Sequence, residues 1–175
     1  MPAANPDGQE IVKLVAAVEA ASGAANVEAA TKSWNSIVGL LQEVAKRLEE
    51  YQNLISTKEP KEVTLNGLNK DLQRLDNIIQ DLEIWVQKLV TSPSLPAEVK
   101  LVWGIRQGEL EKGREKIALE ETLTAIFSYL TYIQMDQEMK KRLSHKQQTP
   151  YQRDRASIVT TINQVSGYLK RLSRS

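Results

Sequence analysis

Residues that could perform covalent catalysis are almost absent from this chain. Its 175 residues include one histidine, His145, and no cysteine. A serine–histidine or cysteine–histidine site would therefore have to use His145. That residue stands in a polar, basic segment between Ser144 and Lys146, which favours a solvated loop histidine. The sequence predicts no nucleophilic active site.

Sequence motifs for metal ions and nucleotides are missing as well. There is no HExxH and no EF-hand pattern, and one histidine without cysteine leaves only carboxylates as metal ligands. The Glu-x-x-His pattern of di-iron bundles fails because Arg142 stands three residues before the histidine. The glycines of segment 104–113 are spaced too widely for a phosphate-binding loop. We therefore predict no metal, no cofactor and no enzymatic activity.

Positive charge is concentrated in three segments, although the chain as a whole is almost neutral. The third, near the end of the chain, contains Lys170, Arg171 and Arg174. Lysine and arginine number 23 against 22 acidic residues, whereas a protein that holds nucleic acid by its surface is usually clearly basic. Aromatic residues make up only 5%, too few for a base-stacking platform, so we predict no nucleic-acid partner. The basic segments are either solvated helix ends or a patch for anionic phospholipid headgroups. The candidate lipid-binding residues are Lys140, Lys141, Arg142, Lys146, Arg153 and Arg155.

A second candidate element is the Ala-rich segment near the start of the chain. Its apolar residues could lie in a bilayer interface if the helix left the protein. The alternative is an ordinary packing helix. The sequence has no run of about 18 apolar residues, so it predicts no permanent membrane span. The candidate membrane-inserting residues are Ile11, Val12, Leu14, Val15 and Val18.

Helices must position these candidates, because apolar residues recur at helical spacing through most of the chain. We expect residues 1–8 to be a flexible lead-in to a short first helix. Asn26 should cap a second helix that ends near Ile55. A third helix has the clearest pattern, with apolar residues at alternating steps of three and four. Its seam residues are Leu65, Leu68, Leu72, Leu75, Ile79, Leu82, Val86 and Leu89.

The middle of the chain predicts a short apolar helix followed by a long one. Gly104 and Gly108 weaken the end of the short helix, which we place at residues 97–107. The long helix should run from about 109 to 144, with Phe127 on its inner side.

The last segment predicts a final helix over about residues 152–172, after a loop that Pro150 closes. The expected fold is all-α, an antiparallel four-helix bundle with additional short N-terminal and connecting helices. We expect one domain over residues 9–175.

Two segments resemble a known family when they are taken together. A long Leu-rich helix, LNGLNKDLQRLDNIIQDLEIWVQKL, is followed by a Pro-broken loop and by KLVWGIRQGELEKGREKIALEETLTAIFSYL, which has a Trp ahead of a polar turn. Residues 34–135 thereby resemble the helical N-terminal domain shared by fungal HeLo-like cell-death proteins, fungal STAND-type receptors and mixed-lineage kinase domain-like protein. The resemblance implies a four-helix bundle that oligomerises, reaches the inner plasma membrane and permeabilises it.

The resemblance also implies roles for both candidate elements. In the family an amphipathic first helix is the usual inserting element, which maps here to Ile11–Val18. The basic headgroup-binding residues map to Lys140–Arg142 and Lys146.

The resulting functional prediction is a membrane-targeted cell-death or immune-signalling effector domain. Its expected partners are anionic membrane lipids, further copies of itself and other helical signalling proteins. We expect it in the cytoplasm, and peripherally at the plasma membrane when active. The alternative is an adaptor bundle whose heptad faces bind partner helices without lipid.

Overall fold

Helices make up nearly all of the chain that the structure describes. This computed structural model describes residues 6–172, with side chains from Val12 onward, and that range contains no strand. The predicted all-α class is confirmed. The helices are α1 (Pro6–Ser22), α2 (Val27–Thr57), α3 (Glu62–Val90), α4 (Ala97–Ile117), α5 (Leu119–Ile133), α6 (Gln137–Arg142) and α7 (His145–Arg171).

The first two helices begin at residues suited to helix starts. α1 begins at Pro6, and proline is well tolerated at a first helical position. Residues 6–8 of the predicted lead-in are therefore helical, while residues 1–5 lie outside the described range. Asn26 caps α2 as predicted, because its Oδ1 accepts a hydrogen bond from the Ala29 N–H at 2.8 Å.

The predicted seam of α3 is confirmed, since all eight of its apolar residues are buried. α3 packs against α4, which runs in the opposite direction. Arg114 Nη1 of α4 lies 2.5 Å from Glu83 Oε2 of α3, while Gln107, earlier in α4, donates to Gln87, later in α3. α5 continues along α3 in the same direction as α4. The Gln134 amide, just after the end of α5, donates to Glu62 at the start of α3 at 3.3 Å.

α2 packs along α7, and these two helices also run in opposite directions. Near the start of α2, Trp34 Nε1 donates to the Leu172 carbonyl at 3.3 Å. Near its end, Arg155 Nε donates to the Ile55 carbonyl at 2.8 Å. The Trp34 ring also meets the Trp103 ring of α4 edge to face, with centroids 6.5 Å apart. Apolar side chains from these helices form one continuous buried cluster.

α4 is longer than predicted, because it continues through Gly104 and Gly108 to Ile117. It ends at Ala118, whose φ of 42° is left-handed. A glycine inside a helix costs only about 1 kcal/mol relative to alanine, and burial of one side of α4 outweighs that cost. The predicted boundary at residue 107 is wrong for this reason. The buried residues of α4 are Val99, Trp103, Arg106, Leu110, Gly113 and Ile117.

The break at Ala118 also changes which side of α5 is buried. The predicted helix over 109–144 is divided into the end of α4, α5 and α6. A left-handed residue resets the helical phase, so a stripe extrapolated from α4 no longer applies to α5. Phe127, predicted to face the core, is 75% exposed, and that prediction is wrong. The buried residues of α5 are Thr122, Ala125, Ile126 and Tyr129.

α7 begins earlier than predicted, at His145 instead of about residue 152. Ser144 and Gln147 form a capping box that starts the helix. Pro150 lies inside the early part of α7, where its missing N–H removes the bond that would reach the Lys146 carbonyl. The capping box and the buried apolar side of α7 offset this loss, so the predicted loop at Pro150 is wrong.

Candidate functional site

Arg155, one of the predicted lipid-binding residues, is engaged inside the protein. Its Nε donates to the Ile55 carbonyl at 2.8 Å, and its Nη2 donates to the Lys58 carbonyl at 2.6 Å. Both carbonyls belong to the C-terminal end of α2, where helix carbonyls lack backbone partners. The guanidinium therefore caps α2 and connects α7 to it, which occupies two of its donor groups within the protein.

Lys140 is also engaged within the fold. Its Nζ lies 3.2 Å from Glu59 Oε1, and its side chain is only 17% exposed. The same ammonium lies 5.2 Å from the centre of the Tyr132 ring, which stacks on Tyr151 at 4.9 Å. Lys140 thus holds α6 against the connector between α2 and α3, and its charge is largely neutralised there.

The remaining predicted cations are open to solvent at one end of the molecule. Lys141, Arg142 and Lys146 are exposed, and Met139, two residues before Lys141, is 50% exposed. Arg142 has one distant carboxylate, Glu138, at 3.9 Å, and both side chains are so exposed that the pair is weak. We call Met139, Lys141, Arg142 and Lys146 the basic tip. Its combination of cations with an exposed apolar side chain suits an anionic lipid surface.

The N-terminus of α7 adds to the positive potential of the basic tip. Ser144 accepts from the Gln147 N–H at 3.2 Å, and Gln147 Oε1 accepts from the Ser144 N–H at 2.8 Å. The positive end of the helix dipole lies here. His145 is the exposed first residue of α7, not a loop residue as predicted. Arg153 follows two turns after Lys146 along an open, shallow groove of α7, lined by His145, Gln148, Thr149, Gln152, Arg153 and Ala156.

The predicted membrane-inserting residues of α1 do not share one surface. Leu14 is buried in the core and Val18 is half-buried. Val12 is 68% exposed and Val15 is also exposed. The side chain of Ile11 lies outside the described residues. In this arrangement Leu14 fixes α1 to the protein, so the five residues could meet a bilayer together only after α1 had detached.

A second cationic surface, of which the sequence indicated only the basic end of α7, lies between α4 and the end of α7. Lys112, Lys116 and Arg171 border a groove whose floor includes Tyr168 and Leu172. We call it the C-terminal groove. The i, i+4 spacing of the two lysines was a visible signal, but only the fold brings them beside α7.

Tyr168 is fixed in the floor of the C-terminal groove. Its hydroxyl donates to the Glu109 carbonyl, and its ring covers Gly113, where an added Cβ would overlap it. Burial raises the pKa of the Tyr168 phenol, and the nearby Glu109 charge raises it further. The phenol therefore stays neutral and structural, and the positive charge of the groove comes from its rim.

The titratable cluster around Asp71 connects α2 with α3. Asp71 is buried and accepts a hydrogen bond from the Tyr51 hydroxyl at 2.9 Å. Arg47 and Arg74 lie 3.7 Å and 3.3 Å from its carboxylate oxygens. Burial, followed by the hydrogen bond to Asp71, raises the pKa of Tyr51 to about 12. The carboxylate is satisfied by these groups, which makes the cluster a structural network.

The described residues show neither a metal cluster nor a spanning helix. Among their side chains, no group of three or more histidine, cysteine, aspartate or glutamate residues is placed to hold a metal ion. Within residues 6–172, no helix combines the length and the apolar character needed to cross a bilayer.

Comparisons with protein-family models, with curated proteins and with solved structures found no match for this chain. The resemblance of residues 34–135 to HeLo-like domains therefore stays a prediction that rests on the two sequence segments quoted above.

Proposed function

We propose that this chain is a membrane-targeted cell-death or immune-signalling domain of the HeLo-like type. In this proposal it binds anionic phospholipid, self-associates and permeabilises the membrane. It resides in the cytoplasm and sits peripherally on the plasma membrane when active. We interpret α2, α3, α4–α5 and α7 as an antiparallel four-helix bundle, with α1 and α6 as the short N-terminal and connecting helices. The opposed directions of α2 and α7 and of α3 and α4 support this interpretation.

The observation that carries the proposal is the uncompensated charge of the basic tip. Among the described side chains, no carboxylate lies within ion-pair distance of Lys141 or Lys146, and Arg142 has only the distant Glu138. A cation near an anionic lipid surface contributes about 1 kcal/mol. Three such cations give up to about 3 kcal/mol, or roughly 150-fold in affinity. Lys140 is left out of this sum because Glu59 already neutralises it.

The position of α1 sets a geometric requirement for insertion. The basic tip lies beside the end of α2, where Lys140 meets Glu59. α1 joins the start of α2 just before Asn26, and the 31 residues of α2 span roughly 46 Å. For α1 to enter the bilayer that the tip contacts, Leu14 must leave the core. In the proposal, the tip therefore binds first and the release of α1 follows.

Vesicle co-sedimentation tests the proposal through charge reversal at the tip. The tip variant combines Lys141→Glu, Arg142→Glu and Lys146→Glu. We expect it to bind phosphatidylserine vesicles at least about tenfold more weakly than wild type, with an unchanged circular dichroism spectrum because these side chains are exposed. Equal sedimentation of the two proteins would contradict the proposed lipid surface.

A matched control reverses three lysines outside both the tip and the C-terminal groove. The control variant combines Lys46→Glu, Lys70→Glu and Lys88→Glu, all exposed positions. It has the same net charge as the tip variant and should bind vesicles as wild type does, apart from a small loss of long-range attraction. A loss as large as that of the tip variant would mean that net charge alone governs binding.

The alternative function is a helical adaptor that binds partner helices without lipid. Exposed apolar residues far from the basic tip favour it, above all Leu101 and Ile105 on α4. An adaptor should be indifferent to vesicle charge. Failure of wild type to sediment with any vesicle would favour this function over the first.

A further inference from the structure

The side of α4 that faces away from the core contains apolar residues that the described part of the chain leaves largely exposed. Leu101 is 68% exposed and Ile105 is 57% exposed, one helical turn apart. Gly104 and Gly108 lie beside them, and a Cβ added at either glycine would meet no atom within 4 Å. We call Glu98, Leu101, Gly104, Ile105, Gly108 and Lys112 the outer face of α4.

We propose that the outer face of α4 is a contact between two copies of this chain, packed antiparallel about a two-fold axis near residues 104 and 105. In this register each Leu101 lies opposite the partner's Gly108. Each Ile105 lies opposite the partner's Gly104. Large side chains thereby fill the low positions that the glycines leave, on both sides of the axis at once.

The charges of the outer face are self-complementary in the same register. Glu98 lies toward one end of the face and Lys112 toward the other, and both are exposed. An antiparallel pair places each Glu98 opposite the partner's Lys112. A parallel pair would instead place Glu98 against Glu98, Leu101 against Leu101 and glycine against glycine, with repulsion and a gap. Exposed ion pairs add little affinity, but they select the orientation.

A second copy is therefore the occupant that fits this face, and the contact is expected to be weak. One helix pair covers less area than the roughly 800 Å² per partner of a standard interface. Dimers should form at high protein concentration, or where binding to a surface raises the local concentration. The inference gives a location to the self-association in the proposed function, but the contact itself needs no lipid.

The absence of cysteine allows a direct test of the register in solution. Ile105→Cys places two thiols next to the axis, so a short bismaleimide should link two copies of this variant. Glu98→Cys alone places the two thiols roughly 20 Å apart along the helices, as Lys112→Cys alone does, and neither should be linked. The double variant with both Glu98→Cys and Lys112→Cys should be linked. Linkage of each single variant would overturn the antiparallel register.

Sedimentation equilibrium without lipid tests the affinity. Ile105→Glu should weaken self-association by about tenfold or more, whereas the control Val63→Glu, at an exposed apolar residue on α3, should not. Glu98→Lys and Lys112→Glu should each weaken the dimer, and their combination should restore it. Two results together would overturn the inference. They are a wild type that stays monomeric at the highest attainable concentration and an Ile105→Cys variant that the bismaleimide does not link. That result would leave vesicle binding by the basic tip unaffected, so the two proposals fail separately.

Discussion

Arg155 is a basic residue that stabilises the fold, in contrast to the exposed basic residues that we propose to bind lipid. Its two hydrogen bonds, at 2.8 Å to the Ile55 carbonyl and 2.6 Å to the Lys58 carbonyl, satisfy the end of α2. A hydrogen bond from a charged donor contributes about 1.5–3 kcal/mol when it is shielded from water. The first bond is partly buried, but the second is exposed and counts for less. Together they should stabilise the protein by about 2–3 kcal/mol.

Arg155→Ala should therefore lower the free energy of unfolding by about 2–3 kcal/mol. Arg153→Ala removes the same charge from an exposed position and should change stability by no more than about 0.5 kcal/mol. Urea titrations followed by circular dichroism measure both values. In vesicle binding the order should reverse, because Arg153 is exposed whereas Arg155 directs its Nε and Nη2 groups to carbonyls of the protein. Equal losses of stability in the two variants would refute the capping role of Arg155.

Three further predictions concern stability. Leu75→Ala should cost about 2–5 kcal/mol in urea titrations, because the side chain is fully buried, whereas Lys70→Ala should cost little. Burial raises the pKa of Tyr51 to about 12 while the unfolded value is about 10, so stability should be full below pH 10 and fall as pH rises toward 12. Tyr51→Phe should remove that part of the pH profile. Gly113→Ala should destabilise the protein by about 1–3 kcal/mol in thermal melts, because the added Cβ overlaps the Tyr168 ring. Gly104→Ala should instead stabilise it by up to about 1 kcal/mol, because its Cβ lies in open space.

Features governed by nearby residues were predictable from the sequence. The α3 seam follows from a repeat inside one helix, and the Asn26 cap follows from a side chain that bonds three residues ahead. The errors occurred where tertiary packing outweighs a local preference. α4 continues through two glycines, and α7 includes Pro150, because burial of their apolar sides exceeds the local cost. The left-handed conformation of Ala118 was not predictable, since alanine favours helix.

The sequence indicated the basic residues of the candidate site, but not which of them are already engaged within the protein. The sequence shows six basic residues, yet only the fold shows that Arg155 is used by the end of α2 and Lys140 by Glu59. Ile55 lies 100 positions from Arg155 in the chain, and Glu59 lies 81 positions from Lys140. No local sequence pattern reaches that far. The C-terminal groove was missed for the same reason, because Lys112 and Arg171 meet only through the packing of α4 on α7.

The most direct test of the account measures how wild type partitions between buffer and vesicles of two compositions. Through its three exposed cations and exposed methionine, the basic tip should bind phosphatidylserine-containing vesicles more tightly than neutral phosphatidylcholine vesicles. The difference in affinity should reach up to roughly 150-fold. Binding should weaken as salt rises above about 0.1 M, because exposed charges are then screened within about 10 Å. Equal binding to both vesicle types, or no binding to either, would contradict the membrane-targeting function.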